Sequence, residues 1–230
     1  MLKGIVDTPI VYEDKPSYYP VFAKPDVGEG SRGSHFIANE KDYDFYVRQS
    51  PIDMVVTEYL PGKEYTIDCF TKSNGELIFC QGRIRERISN GISVRTRPVS
   101  DSRFLDLALK ISKKLKFSGM WFFQVKEGKN NVLTLLEIAP RIAGTMGMYR
   151  VKGINFVQLS LFDLLGNDVK IIDNKFNLIS DRALYSCYKT DLKYDYVYVD
   201  YDDTLVNNDL VNSFVIKFLY QSLNQGKKFI

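Results

Sequence analysis

The chain has 230 residues, 45% of them hydrophobic and 26% charged, with a formal net charge of +3. Fifteen Tyr, fifteen Phe and many aliphatic residues supply a sizeable core, which excludes disorder as the main state. So small a charge excess does not point to nucleic acid, and no apolar run nears the ~20 residues of a membrane span. Met1–Pro9 lacks the apolar core of a signal peptide. Cys69, Cys80 and Cys187 are scattered without paired spacing, so neither a zinc site nor a disulfide framework is indicated. His35 is the single histidine, which disfavours Ser-His-Asp and Cys-His chemistry. A cytoplasmic, reduced location is expected.

In chain order, Tyr19–Lys24 reads as a short strand entering the turn Gly28-Glu-Gly-Ser-Arg-Gly33. Asn39–Gln49 reads as a helix, Met54–Tyr59 as a buried strand, and Glu64–Lys72 as an alternating strand. Ser73-Asn-Gly75 is a hairpin turn into Glu76–Ile88. Asp101–Lys116 has Phe104, Ala108, Ile111 and Leu115 at helical spacing. Met120–Lys126 and Val132–Ile138 form a hairpin around Gly128-Lys-Asn-Asn131, and Ile154–Leu165 is an apolar helix ended by Gly166. Composition changes over Val169–Lys193. A strand, Tyr196–Val199, then runs into Asp200-Tyr-Asp-Asp-Thr-Leu205, and a helix follows with Leu210, Phe214 and Phe218 on one stripe and Val211, Val215 and Leu219 beside them. Lys227-Lys-Phe-Ile230 reads as the opening of another strand. These elements divide the chain into 1–185 and 194–230.

Three segments carry chemistry. Lys24 sits at a strand end before Gly28, Gly30, Ser31 and Gly33, where glycines let backbone approach phosphate oxygens and a lysine adds a point charge. A plain surface turn explains such a loop equally well. In the second, a strand ends at Glu58, and Tyr59, Leu60 and Glu64 follow; backbone after Glu58 suits an adenine edge and Glu64 suits ribose hydroxyls, against a hairpin with solvated acids. The third joins Gln124 to Glu137 across a hairpin. Centred between Lys129 and Asn130, that hairpin pairs Gln124 with Leu135, diagonal to Glu137, within the ~7–8 Å reach of side chains converging on a cation. Glu137 stands in an apolar pattern with Leu133, Leu135 and Leu136, and a buried acid demands a partner or a metal. Arg141 lies nearby as its partner or as a phosphate clamp. Six of the eleven arginines fall at Arg83, Arg85, Arg87, Arg95, Arg97 and Arg103. The first three share one strand face, suited to an anionic ligand or to solvent.

In this order, P-V-F-A-K-P with its glycine loop, E-Y-L-P-G-K-E-Y-T-I-D, and F-Q-V…L-L-E-I-A-P-R-I-A-G-T resemble the ATP-grasp superfamily, in particular carbamoyl-phosphate-synthetase-like carboxylate–amine ligases, over roughly Gly4–Gly166. The resemblance implies an α+β fold of two subdomains gripping ATP, and catalysis by positioning and charge neutralisation, which requires no histidine base. By it, Lys24 contacts nucleotide phosphates, Gly28–Gly33 forms a mobile flap, Glu58–Leu60 hold adenine and Glu64 the ribose. Gln124 and Glu137 ligate Mg2+, with Mn2+ as a substitute, Arg141 faces the transferred phosphate, and Gly91-Ile-Ser93 approaches the ribose–phosphate side. The implied partners are ATP, a small carboxylate and an amine. Two departures stand out. Ala139 occupies the position of a metal-binding asparagine, and the chain starts in the middle of the family's fold, so its N-terminus is expected to be cut or completed by a separate chain.

The tail, Asp200-x-Asp202-x-Thr204-Leu205 after an apolar strand, resembles the first motif of haloacid-dehalogenase-type phosphatases. It implies Asp200 as nucleophile and Asp202 as acid/base, on an incomplete Rossmann-like α/β segment that the chain end cuts short. Without its sheet neighbours the tail strand is expected to dock on the ligase core or be poorly ordered. An acidic loop after a strand is the plain alternative. For the whole chain, the alternatives to a ligase are a phosphatase and a nucleotide-binding module without catalysis.

Overall fold

Alternation organises the N-terminal sheet of the chain, whose computed structural model describes residues 2, 4–28, 31–183 and 186–230, with Ser186 and Cys187 described by backbone alone. Strands β1 (Val11–Tyr12), β2 (Val21–Pro25), β3 (His35–Ile37) and β4 (Met54–Glu58) form an antiparallel sheet in the order β1-β4-β2-β3. Val21, Ala23, Ile37 and Val56 are buried on one face, against Tyr43 and Val47. Those two come from helix α1 (Glu40–Tyr43) and the π-helical turn Asp44–Arg48 that continues it. Asn39 caps α1, accepting from the Asp42 N–H at 3.1 Å.

Strands β5 (Glu64–Thr71), β6 (Leu77–Ser89), β7 (Ile92–Val99), β8 (Gly119–Glu127), β9 (Leu133–Ala139), β10 (Leu178–Arg182) and β11 (Ser186–Thr190) form a second antiparallel sheet. Its order is β11-β10-β7-β6-β5-β8-β9. One face, with Tyr65, Ile67, Cys69, Trp121, Phe123 and Val125, packs on helix α2 (Ser102–Leu115) through Phe104, Ala108 and Ile111. Asp101 caps α2 by accepting from the Arg103 N–H at 3.0 Å, and Lys116 ends it at φ 50°. The helix lies so close to β6 that a Cβ at Gly82 would sit 2.2 Å from the Phe104 ring. At one end of the opposite face, Phe70 and Phe122 are covered by Met146, Met148 and Tyr149 of a 3-10 turn, and by Phe156 of helix α3 (Phe156–Leu164). The alternation expected of Glu64–Lys72 is therefore absent: β5 is covered on both faces and is buried from Tyr65 through Thr71.

The contacts divide the chain into two units, Met1–Thr190 and Asp191–Ile230. In the second, β12 (Tyr196–Val197), β13 (Val206–Asn207), β14 (Leu210–Val211), helix α4 (Ser213–Asn224) and β15 (Lys228–Phe229) follow in order. β12 pairs in parallel with β15, reached through α4, and Val199 and Ile230 extend the pairing with an N–H···O bond of 3.0 Å. The tail strand thus finds its partner within its own unit, in the Lys228–Phe229 segment. Leu210 and Val211 depart from expectation. They form a hairpin with Val206–Asn207, because Asn208 and Asp209 take positive φ (49° and 60°), as a tight hairpin turn requires. Asn212 then caps α4, accepting from the Phe214 and Val215 N–H groups at 3.2 and 3.4 Å, so the helix starts only at Ser213.

Candidate nucleotide and metal site

The second sheet keeps one polar region, on the face away from α2 and at the Glu64 end. Cross-strand register places Glu64 and Thr66 of β5 beside Arg83 and Arg85 of β6 and Gln124 and Lys126 of β8. Gln124 lies directly opposite Glu137 on β9, not diagonal to it. The difference is a β-bulge: Val125 pairs with Leu135, which leaves Leu136 as the extra residue and turns Glu137 to the same face as Gln124. The bulge also overturns the expected burial. Leu133 and Leu135 are buried, whereas the Glu137 side chain is 46% exposed. Its one ion pair among the described residues is a loose 3.8 Å approach to Arg141, an exposed guanidinium lying 4.9 Å from the Phe122 ring centre. At such exposure the pair is worth at most about 1 kcal/mol, so the carboxylate is accessible and nearly free.

Glu64 is not free. Its carboxylate is paired with Arg85, with Lys126 Nζ 4.0 Å away. The same Arg85 Nη1 donates to Gln124 Oε1 at 2.6 Å, and Nη2 donates to the Gly91 carbonyl at 2.5 Å. One guanidinium therefore ties together the expected ribose acceptor, one expected metal ligand and the Gly91–Ser93 segment. The sequence pattern placed Arg85 only within a three-arginine face, and the structure splits that face. Arg83 is buried in a fork on Asp68, with Nε at 2.6 Å and Nη2 at 3.2 Å, and it also donates to Thr145. Burial pushes the Asp68 carboxyl up in spite of that arginine. Arg87, beyond an irregularity in β6, is 62% exposed and pairs with Asp181.

Glu58 closes β4 by binding backbone: its carboxylate accepts from the Ile10 N–H at 3.0 Å, and its own N–H donates to the Ile10 carbonyl at 3.0 Å. Tyr59 packs edge-on against Phe36, ring centres 4.8 Å apart, with Lys126 Nζ 5.8 Å from its own centre. Leu60 is buried beside Gly128. Lys24 is exposed at the end of β2, opposite Val55, and no acid among the described residues lies within ion-pair distance of it. Gly28, Ser31 and Gly33 form an exposed turn in which Ser31 and Gly33 take positive φ (57° and 70°). Gly30 lies outside the described residues.

In the second unit Asp200 and Asp202 occupy an exposed turn after β12. The Asp200 carboxylate accepts from the Tyr201 N–H at 2.9 Å, and Asp202 makes an isolated bridge to Val206. Among the described residues no three or more His, Cys, Asp or Glu are grouped to hold a metal ion. Two concavities, of about 220 and 170 Å³, lie at Gly153–Ile172 and around Ser73–Asp163. Neither includes a predicted site residue. Cys69 faces Cys80 directly across β5 and β6, a juxtaposition that their separation in sequence concealed; both are free thiols.

An antiparallel sheet with a polar, two-donor patch at one end, preceded by a small sheet that carries a lysine and a glycine turn, is the architecture of an ATP-grasp protein. The family model for "ATP-grasp in the biosynthetic pathway with Ter operon" matches residues 50–181, more than half of the chain, and the chain belongs to that family. Over 169 residues it is 25% identical to the arginine-specific large chain of carbamoyl phosphate synthase from Geobacillus stearothermophilus, covering 68% of this chain and 16% of that protein. It thus spans about a sixth of the length of that curated relative. N5-carboxyaminoimidazole synthetase from Staphylococcus aureus, solved with ADP, superposes with a TM-score of 0.66 at 20% identity, over 79% of this chain and 54% of that one. The biotin carboxylase domain of 2-oxoglutarate carboxylase from Hydrogenobacter thermophilus, solved with MgADP and bicarbonate, gives 0.66 at 15%, over 79% and 48%. Biotin carboxylase from Campylobacter jejuni gives 0.65 at 17%, also over 79% and 48%. At these identities the superpositions establish the fold. No helix among the described residues is long and apolar enough to cross a membrane.

Proposed function

We propose that the chain is the nucleotide-binding core of an ATP- and magnesium-dependent ligase, which activates a small carboxylate as an acyl phosphate for attack by an amine or similar nucleophile. The observation that carries this is the direct Gln124–Glu137 pair on the polar end of the sheet, three residues of β9 and its exit before Arg141. The amide oxygen of Gln124 and the carboxylate of Glu137 are hard oxygen donors, and Mg2+ or Mn2+ takes one or two such protein ligands beside phosphate and water. Ala139 leaves the count at these two. The bound cation would offset charge on the transferring phosphoryl group.

The remaining residues bind and orient. Lys24, with no acid among the described residues within ion-pair distance, supplies a point charge for phosphate, and Gly28–Gly33 supplies backbone close to it. Tyr59 and Leu60 border adenine, Glu64 meets the ribose, and Glu58 holds that segment in place through Ile10. The exposed Arg141 steadies the γ-phosphoryl group as a carboxylate oxygen of the acid bonds to its phosphorus and the bond from that phosphorus to ADP breaks. An incoming amine would then attack the acyl carbon, release phosphate and lose its proton to solvent. ATP as donor fits a cytoplasmic location, and a separate chain completing the fold remains part of the proposal. A second reading attaches to the other unit. The parallel strand–helix–strand path that carries Asp200-x-Asp202-x-Thr204 just after its first strand supports the opening of a haloacid-dehalogenase-like, Rossmann-type domain, with Asp200 as nucleophile and Asp202 as acid/base.

Titration calorimetry of the chain with ATP and Mg2+ tests the first reading. Lys24→Ala and Glu137→Ala should each lose nucleotide affinity while the fold persists, and normal binding by both variants would refute the site. Hydrolysis of a general phosphate ester that disappears in Asp200→Asn would make the second unit the active one.

A further inference from the structure

We propose that Arg85 is an internal cation that holds the metal and ribose donors of this site and must give them up when a metal–nucleotide binds; the inference rests on the reading above. Arg85 and Arg83 lie two residues apart on β6 and on the same face, and they are engaged in opposite ways. Arg83 presents a complete fork to one carboxylate and a third bond to Thr145, with every nitrogen in use. That geometry is a permanent fixture.

Arg85 is only 6% exposed, and its Nε is buried without a partner. Its Nη1 is shared between the Glu64 carboxylate and Gln124 Oε1, and its Nη2 reaches a backbone carbonyl. Buried donors are rarely left unpaired, so charge attraction to Glu64, not a satisfied hydrogen-bond set, holds this guanidinium where it is. The acceptors it takes are Gln124 and Glu64. A metal ion at Gln124 Oε1 would sit beside the guanidinium that now bonds the same oxygen, and like charges at that range repel strongly. The two cations therefore exchange. When Arg85 leaves, Glu64 keeps Lys126 as a partner and becomes open to hydroxyl donors.

The experiment uses the full chain with ADP and Mn2+, following free Mn2+ by its EPR signal. Arg85→Met removes the charge but keeps most of the apolar stem, whereas Arg85→Lys keeps a cation. Mn2+ affinity in the presence of ADP should tighten about tenfold in Arg85→Met and stay within about threefold of wild type in Arg85→Lys, the size expected for one like charge at ~4–6 Å. Arg85→Gln is the companion variant, with the same expectation, if the methionine chain does not fold by its Trp121 melting curve. Affinity unchanged or weakened in a folded, uncharged variant overturns the inference and makes Arg85 a fixed ion pair. If wild type and variants all fail to bind ADP, the reading of the site falls and takes this inference with it. ADP binding without the tightening removes Arg85's role alone.

Discussion

Arg83→Met removes the cation that accompanies Asp68 into the protein. Asp68 is fully buried and Arg83 is 2% exposed, so neither charge has water to fall back on. Leaving one member of such a pair behind typically costs about 3–5 kcal/mol, and the lost bond to Thr145 adds about 1 kcal/mol. In a unit of this size each kcal/mol is about 2–4 °C, so the melting point should fall by at least about 8 °C. The loss must also depend on pH. Burial already raises the Asp68 carboxyl above its ordinary 3.8, and Arg83 is the main influence opposing the rise. Without Arg83 the folded chain holds a proton there that the unfolded chain releases above 3.8. A raised acid loses stability as pH climbs through that interval, so the deficit should be smaller near about pH 5 than near about pH 7. Trp121, the single tryptophan, is buried in the same sheet and reports denaturant unfolding of this unit. A deficit below about 1 kcal/mol at neutral pH would refute the argument, as would one that does not shrink in acid. The double variant Asp68→Leu/Arg83→Met should recover most of the loss, because no lone charge remains.

Gly82→Ala should destabilise by about 1–3 kcal/mol, since its Cβ would meet the Phe104 ring at 2.2 Å and α2 must move to admit it; an unchanged thermal melt would mean the helix is less tightly seated. Asp101→Ala should cost about 0.5–2 kcal/mol through the lost cap of α2, while Asp101→Asn keeps most of it. Arg103 bonds the Asp101 carboxyl and holds it below 3.8, so the charge contributes stability above that value and loses it as pH falls through the lowered one. The gap between wild type and Asp101→Ala in denaturant titrations should therefore narrow in acid.

Periodicity and turn chemistry in the sequence determined most of the elements, because those signals are local. Asp101 as a cap, Phe104, Ala108 and Ile111 at helical spacing, and Ser73-Asn-Gly75 between two apolar runs each state their structure within a few residues. The ordered motifs also determined the family. Register was beyond reach: a one-residue bulge at Leu136 decides that Glu137 meets Gln124 directly and stands exposed, and no local pattern announces a bulge. Partnership among charges was beyond reach as well. Alternation puts Arg83 and Arg85 on one face, but only the strand order β6-β5-β8 brings Asp68 to the first, and Glu64 and Gln124 to the second. The same order sets Cys69 against Cys80. Contacts between strands distant in sequence depend on how the sheet is threaded, and threading is a property of the whole core, not of any segment in it.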